Sequence, residues 1–549
     1  MQLKTLSETL LQHLLQKNFG KEIFENAENH QNISVKGSAG SSIPLFTTEL
    51  FLTHQKTILF LLSDKEKALY ATTELEDFLG KENVLYFPAT HLEPYQIEKT
   101  QNANLVLRTE VINKLTSQKS PKIIIAYSGA LSELVLKKED FKSISLKIKT
   151  GDQLSFDFTE ELMEKYNFHQ TDFVSEPGEF SVRGGIVDVF SYSNEVPYRI
   201  TFFGNEVENI KTFDIETQLS KDKINEFELV SNMNFSVSGN KVSLFELLPK
   251  DSFVVTDDAF STIHKIKTFY QKAEEKFENF TNDIKHQKPA ELFLSEDLFL
   301  TEFQKFKTID FSIVELSKTQ ISQQFNNSTT VQLQQTPQPS FHKNFELLAE
   351  DLLNKKEEGY EVWISFSSEK QKERLEDIFD SLQQIQSLKT DNENHQQPKT
   401  NNHQLFFAFK SELHEGFVDA DHKISVYTDH QIFDRFQRYK QKNSFAKSEQ
   451  LTLKDLMSLK VGDYIAHIDH GIGKFMGLVK VNNDGKIQEC FKLVYKNGDL
   501  LYVSIHSLHK ISKYNGPDGR EIVLSKLGSP AWKSLKQKTK AKVKQIAFD

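Results

Sequence analysis

The stretch TILFLLSDKEKALYATTELEDFLGKENVLYFP, residues 57–88, decides the fold class. Thr57 to Ser63 is a continuous apolar run, the pattern of a strand buried on both faces. Asp64 stands at a helix N-cap position, the helical period runs to Leu79, and Gly80 ends it. Val84 to Phe87 is a second apolar run, closed by Pro88. Working outward, Asn104 to Leu115 has helical period and Lys122 to Tyr127 (KIIIAY) is a third buried strand. Phe253 to Thr256 (FVVT), followed by Asp257-Asp258 and a long helical pattern, reads as a return to the same sheet. Buried strands separated by helices predict an open, parallel α/β domain.

The chain has 549 residues, which at about 150 residues per domain suggests three or four domains. Its 67 Lys and Arg against 77 Asp and Glu leave a net charge of −10, so no overall field draws it onto nucleic acid. One cysteine, Cys490, excludes an internal disulfide scaffold, fits a reducing cytoplasm and reads as a passive thiol. The sequence contains no apolar run long enough to span a membrane, and MQLKTLSETLLQHLLQKNF at the start is an amphipathic helix pattern rather than a signal peptide.

The organisation changes along the chain. Residues 1–140 form the first part of the α/β domain. Residues 141–228 are an antiparallel β insertion, because Phe180 to Phe190 and Tyr198 to Phe213 alternate with period two and place Gly184-Gly185 and Gly204-Asn205 at turns. Residues 229–335 are expected to complete the α/β domain and end in a linker, since Gln320 to Pro339 is rich in Gln, Asn and Pro. Residues 336–450 suggest a small α/β domain with an exposed polar loop from Asp391 to Gln404. Residues 451–520 carry short strands and many glycines, as in a small β-barrel. Residues 521–549 open a helix at Ser529-Pro530 and hold seven lysines against two acids.

Three places invite a chemical reading. VKGSAGSS, residues 35–42, has the glycines of a phosphate loop at Gly37 and Gly40, followed by Ser41, but no lysine after Gly40. A glycine turn leading into a helix is the plainer account, and the chain shows no nucleotide hydrolysis site. His467, Asp469 and His470, with His506 and His509 beyond, are spaced poorly for one metal ion, so a locally hydrogen-bonded turn is expected. On the strand Tyr198 to Phe203, alternation sends Arg199, Thr201 and Phe203 to one face; Ser181 and Arg183 join them from the preceding strand, while Val182 goes to the core. Two arginines and a phenylalanine fit a protein-recognition anchor; an ordinary solvated face stays open. The C-terminal lysines could track a nucleic-acid backbone or simply be solvated.

Longer blocks carry a resemblance. VSEPGEFSVRGGIVDVF (174–190) with PYRITFFGNEVENIKTFDIETQLS (197–220) resembles the domain shared by UvrB and the bacterial transcription-repair coupling factors. LKVGDYIAHIDHGIGKFMGL (459–478) and FKLVYKNGDLLYVSIHSLHKISKY (491–514) resemble the CarD-like module that binds RNA polymerase. KLGSPAWKSLKQKTKAKVKQIA (526–547) resembles the segment joining that module to the motor in the coupling-factor family. Only that family has the blocks in this order, and the small α/β domain is the poorest match.

The resemblance implies a multidomain α/β architecture: a UvrB-like domain with a UvrA-binding β insertion, and a Tudor/SH3-like barrel followed by a helix. It implies UvrA contacts at Arg183, Arg199 and Phe203. It implies edge-strand pairing with the RNA polymerase β subunit over Lys474 to Val481 (Lys474, Phe475, Leu478, Val479 and Val481), and places Trp532 on the linking helix. The family's ATP-driven, helicase-like translocase is expected to lie beyond Asp549, so ATP, magnesium and most double-stranded DNA contacts belong there. The segment itself is then expected to be non-catalytic, cofactor-free, cytoplasmic and monomeric, with its UvrA patch exposed where the family masks it until the motor engages. Two rivals are a CarD-type polymerase regulator without a repair role and a UvrB-like DNA-dependent ATPase. The lysine absent after Gly40, and a stretch after Phe87-Pro88 too short for UvrB's lesion-probing hairpin, argue against the second.

Overall fold

The computed structural model describes residues 9–90, 93–95, 102–117, 120–154, 156–215, 217–231, 240–280, 287–312, 328–390, 405–437, 459–483, 486–504, 511–514, 523–527, 532 and 534. They fall into two compact units, one from residues 1–140 and 238–442, the other from residues 141–237 and 443–549.

The first unit is built on a seven-stranded, all-parallel sheet in the order 328–332, 32–36, 307–310, 253–256, 58–62, 123–127, 84–87. Every residue of Ile58–Leu62, Val84–Phe87, Ile123–Tyr127 and Phe253–Thr256 is buried, as strands covered on both faces must be. Asp64 caps the helix Lys65–Leu79 by accepting the Lys67 N–H at 3.0 Å, and Asp258 caps Ala259–Glu278 through the Ser261 N–H at 2.8 Å. The amphipathic start is seen as the helix Leu10–Gln16, which buries Leu10, Leu11 and Leu14.

One expectation fails here. The polar tract expected to be a linker contains the strand Ser328–Gln332, which pairs in parallel with Asn32–Lys36 at the sheet edge. It also contains Gln335–Pro337, the first strand of the next sheet. Val331 and Leu333 are buried, at 1% and 6% exposure. Two apolar side chains at period two, among β-branched threonines, suffice to dock an edge strand whose other face is polar. That second sheet runs 335–337, 417–419, 424–428, 361–366, 407–410 and has its own core around Leu348, Ile364, Leu375 and Tyr427. Asp391 to Gln404 lies outside the described residues.

The second unit holds a six-stranded sheet in the order 220–224, 206–213, 198–203, 186–189, 179–183, 169–170, antiparallel except for its last pair. The turns fall at Gly184-Gly185 and Gly204-Asn205. A five-stranded antiparallel sheet follows, in the order 500–504, 486–494, 471–483, 464–467, 511–513. Its core is Ile465, Phe475, Phe491, Leu493, Tyr495, Val503 and Ile511. The chain is thus mixed α/β, with one large parallel sheet and several smaller ones.

Burial raises the proton affinity of three acids in the first unit. Burial pushes the Glu74 carboxyl up to about 7 and does the same for Glu49, outweighing the Gly20 N–H that it accepts and the nearby His422. Burial also lifts Asp310 to about 6. Each binds its proton more tightly folded than unfolded, so the stability they contribute is full at low pH and falls as pH rises through about 7. The expected result is an unfolding midpoint that drops from about pH 5 to about pH 7.5, with Glu74→Gln, which mimics the neutral acid, flattening that slope. Thermal unfolding at the two pH values checks it; an unchanged slope in Glu74→Gln would contradict it.

Candidate functional site: a clasped arginine face and a free strand edge

The glycine turn comes first because it decides what the parallel sheet can bind. Gly37 and Gly40 have φ of +76° and +52°, and the helix Ser42–His54 begins directly after Ser41. In a phosphate loop the amides here would point at an anion. In this chain two of them are already bonded. Ala39 N–H donates to Gln335 Oε1 at 3.3 Å and Ser41 N–H to the Glu415 carbonyl at 3.0 Å. A Cβ at Gly40 would stand 2.6 Å from the Gly416 carbonyl oxygen, so glycine is what lets that backbone approach. Glu74 accepts from the Ser41 hydroxyl and from the His414 N–H, the latter at 2.9 Å, and Ser41 Oγ accepts the Glu415 N–H at 2.9 Å. The second sheet's 414–416 loop thus lies directly against this turn.

On the insertion sheet, the strand Tyr198–Phe203 alternates as its sequence says. Tyr198, Ile200 and Phe202 are buried, and Phe203 is 80% exposed. Register puts Arg199 opposite Asp188 and Asp188 opposite Ser181; Thr201 faces Ile186, which faces Arg183. Arg183 therefore stands in the row between Arg199 and Phe203, all three on one face. That face is not simply solvated. Ser181 is buried at 2% exposure and donates to the Asp172 carbonyl, whereas Val182 is half-buried. The expectation of an outward Ser181 is thus corrected: segment 171–175 folds back over this side of the sheet, and Gln218 ties down the Val174 carbonyl at 3.0 Å.

Under that cover sits Asp188, fully buried. Its carboxylate takes Arg199 in a two-pronged grip, Nε to Oδ1 at 2.7 Å and Nη2 to Oδ2 at 2.8 Å. Arg183 Nη2 donates to the same Oδ2. Arg199 Nη1 also donates to the Gln218 carbonyl at 3.1 Å and to Ser220 Oγ at 3.3 Å, and its guanidinium lies 4.8 Å over the Phe213 ring. Arg183 lies 5.2 Å over the Phe173 ring, and Phe173 itself packs against the core of the C-terminal sheet in the same unit. Sequence reading missed Asp188. Its place between Val187 and Val189, in a strand paired with Tyr198–Phe203, is the signal that could have set it on the arginine face, though not in the interior.

On the C-terminal sheet, the strand Gly471–Asn483 is flanked unequally. On one side Lys474, Phe475 and residues 478–483 pair with Lys486–Val494. On the other side pairing covers only Gly471 to Lys474, extended by the Phe475 N–H to the Asp463 carbonyl at 2.8 Å. Among the described residues the edge from Met476 to Val481 carries no neighbouring strand. Leu478 is 51% exposed beside it, Lys474, Val479 and Val481 are half-buried, and Phe475 points into the core at 5% exposure. Of the residues expected to meet polymerase, Phe475 offers neither ring nor backbone: its ring lies in the core, its N–H goes to Asp463 and its carbonyl accepts the Gly462 N–H at 2.8 Å.

The histidine turn is locally satisfied: Asp469 N–H donates to His467 Nδ1 at 3.0 Å and the His467 and His470 rings lie 4.6 Å apart. Among the described residues no group of three His, Cys, Asp or Glu is placed to hold a metal. His506, His509 and the lysines from Lys533 to Lys544 lie outside them. Gly471, at φ +83°, would put a Cβ 2.4 Å from Ser525 Oγ and 3.1 Å from the Trp532 ring. That glycine lets Trp532 settle on the turn and donate to the Ile468 carbonyl at 3.1 Å. Cys490 is buried, which pushes its thiol up.

Comparison with known proteins follows this geometry. Residues 146–235 match the family model of the UvrB interaction domain, and residues 459–515 match that of the CarD-like/TRCF RID domain. The transcription-repair-coupling factor of Bacillus subtilis (strain 168) is 25% identical, over 93% of this chain and 48% of its own length. That of Staphylococcus haemolyticus (strain JCSC1435) is 23% identical over 95% and 48%, and that of Staphylococcus aureus (strain USA300) 22% over 98% and 50%. The chain is similar to the N-terminal half of a transcription-repair coupling factor. It spans about half the length of the curated relatives it matches. No helix among the described residues is long and apolar enough to cross a membrane.

Burial separates the two ends of the arginine face energetically. Asp188→Ala strands two guanidinium groups, one of them largely covered, and is expected to cost about 3 kcal/mol. Phe203→Ser removes an exposed ring and should change stability by less than about 0.5 kcal/mol. Thermal unfolding of both variants checks this; equal destabilisation would contradict the placement.

Proposed function

We propose that this chain is the adaptor portion of a transcription-coupled nucleotide excision repair protein, holding a stalled RNA polymerase through its C-terminal sheet and recruiting UvrA through its insertion sheet. The supporting observation is the pairing, in one chain, of a UvrB-type interaction domain bearing an exposed Phe203 with a CarD-type domain bearing an open strand edge. In this reading the C-terminal sheet closes as a Tudor/SH3-like barrel. Within the expected stretch Lys474 to Val481, the open edge from Met476 to Val481 adds to a sheet of the polymerase β subunit, where backbone hydrogen bonds give affinity and Leu478, Val479 and Val481 give specificity. Arg183, Arg199 and Phe203 form the UvrA surface, combining guanidinium and aromatic anchors.

The segment itself is non-catalytic in this account. Its glycine turn lacks the phosphate-loop lysine and has committed the amides of Ala39 and Ser41 to Gln335 and Glu415. ATP hydrolysis, magnesium and translocation on double-stranded DNA fall to the remainder of the protein. The chain works in the cytoplasm, one copy bridging the two partners.

Two substitutions separate the arms. Val481→Arg, which sets a charge on the pairing edge, is expected to weaken binding of a purified polymerase β fragment at least tenfold and leave UvrA binding intact. Phe203→Ser is expected to do the reverse. Calorimetric titration of each partner checks both; partners that bind both variants as tightly as the wild type would refute the assignment.

A further inference from the structure

The three residues assigned to the UvrA surface are not equivalent in the structure. Arg199 is 19% exposed and Arg183 is 41% exposed, while the Asp188 that joins them is fully buried. Arg199 has four of its donor contacts committed inside the protein: two to Asp188, one to the Gln218 carbonyl and one to Ser220 Oγ. A guanidinium has five N–H groups in a fixed fork, so almost none of Arg199 is left for a partner. Arg183 donates to Asp188 through Nη2 and stacks on Phe173. Among the described residues its remaining N–H groups meet no acceptor. Asp188 is saturated by the two arginines, and the cluster keeps one net positive charge, carried on the exposed side.

We propose that Arg199 and Asp188 are positioning residues, and that Arg183 is the arginine that meets a carboxylate on the partner. Asp188 fixes the Arg183 fork from behind, Phe173 supports it from below, and Arg199 holds Asp188 in place by gripping both its oxygens. The free edge of Arg183 then stands one row from Phe203, so a partner is read by one two-pronged, charge-assisted contact next to one apolar pocket. Preorganisation gives Arg199 an effect on affinity without a contact of its own. This inference rests on the assignment of this face to UvrA.

A double-mutant cycle on the full chain, titrated with purified UvrA, tests it. Arg183→Ala is expected to weaken binding at least tenfold. Arg199→Gln is expected to weaken it severalfold in the wild-type background and not at all in the Arg183→Ala background, because it acts only through Arg183. Losses that multiply in the double variant would overturn the division of labour while leaving the UvrA assignment standing. Unchanged affinity in both Arg183→Ala and Phe203→Ser would overturn the assignment and this inference together. If Arg199→Gln does not fold, Arg199→Lys, which keeps the charge and loses the two-pronged grip, takes its place in the same cycle with the same expectations.

Discussion

The contact on which the first unit depends is the approach of a backbone carbonyl to a glycine. Gly40 has no side chain, so the 414–416 loop of the second sheet can lie against the first turn of the parallel domain and take its amide hydrogens. Glu74, its carboxyl pushed up to about 7 by burial, closes the same junction through Ser41 and the His414 N–H. In an open α/β sheet this corner is where a ligand is usually bound. Here it joins two parts of the unit.

The insertion sheet uses charge in a comparable way. A fully buried carboxylate is costly unless paired, and Asp188 is paired twice. The cost is met by two arginines whose guanidinium planes also lie over Phe213 and Phe173. Because Phe173 packs at the same time on the C-terminal core, the arginine face and the polymerase-type domain share a ring. Rigid placement of a recognition surface on strands rather than loops favours affinity through low ordering entropy.

The four central and edge strands Ile58–Leu62, Val84–Phe87, Ile123–Tyr127 and Phe253–Thr256 were legible because they are continuous apolar runs, the first followed by an explicit cap at Asp64 and a stop at Gly80. Asn32–Lys36 and Lys307–Asp310 carry too few apolar residues to read as such. What escaped was context. Ser328–Gln332 is a strand although most of its neighbours are polar, since only Val331 and Leu333 need to be buried at a sheet edge. Alternation sorted Arg199, Arg183 and Ser181 onto one face, but period two cannot say that another segment folds over that face. Phe475 entered the candidate site through family resemblance; its ring belongs to the core, while Leu478, past a register shift, is 51% exposed. The opening beside Met476 is likewise a property of strand pairing, invisible in composition.

The most direct test of the central claim is whether one chain bridges both partners at once. Native mass measurement, or sedimentation, of the chain mixed with a polymerase β fragment and UvrA is expected to show a complex containing all three. Mutually exclusive binary complexes, with no ternary species at concentrations that saturate each pair, would contradict it.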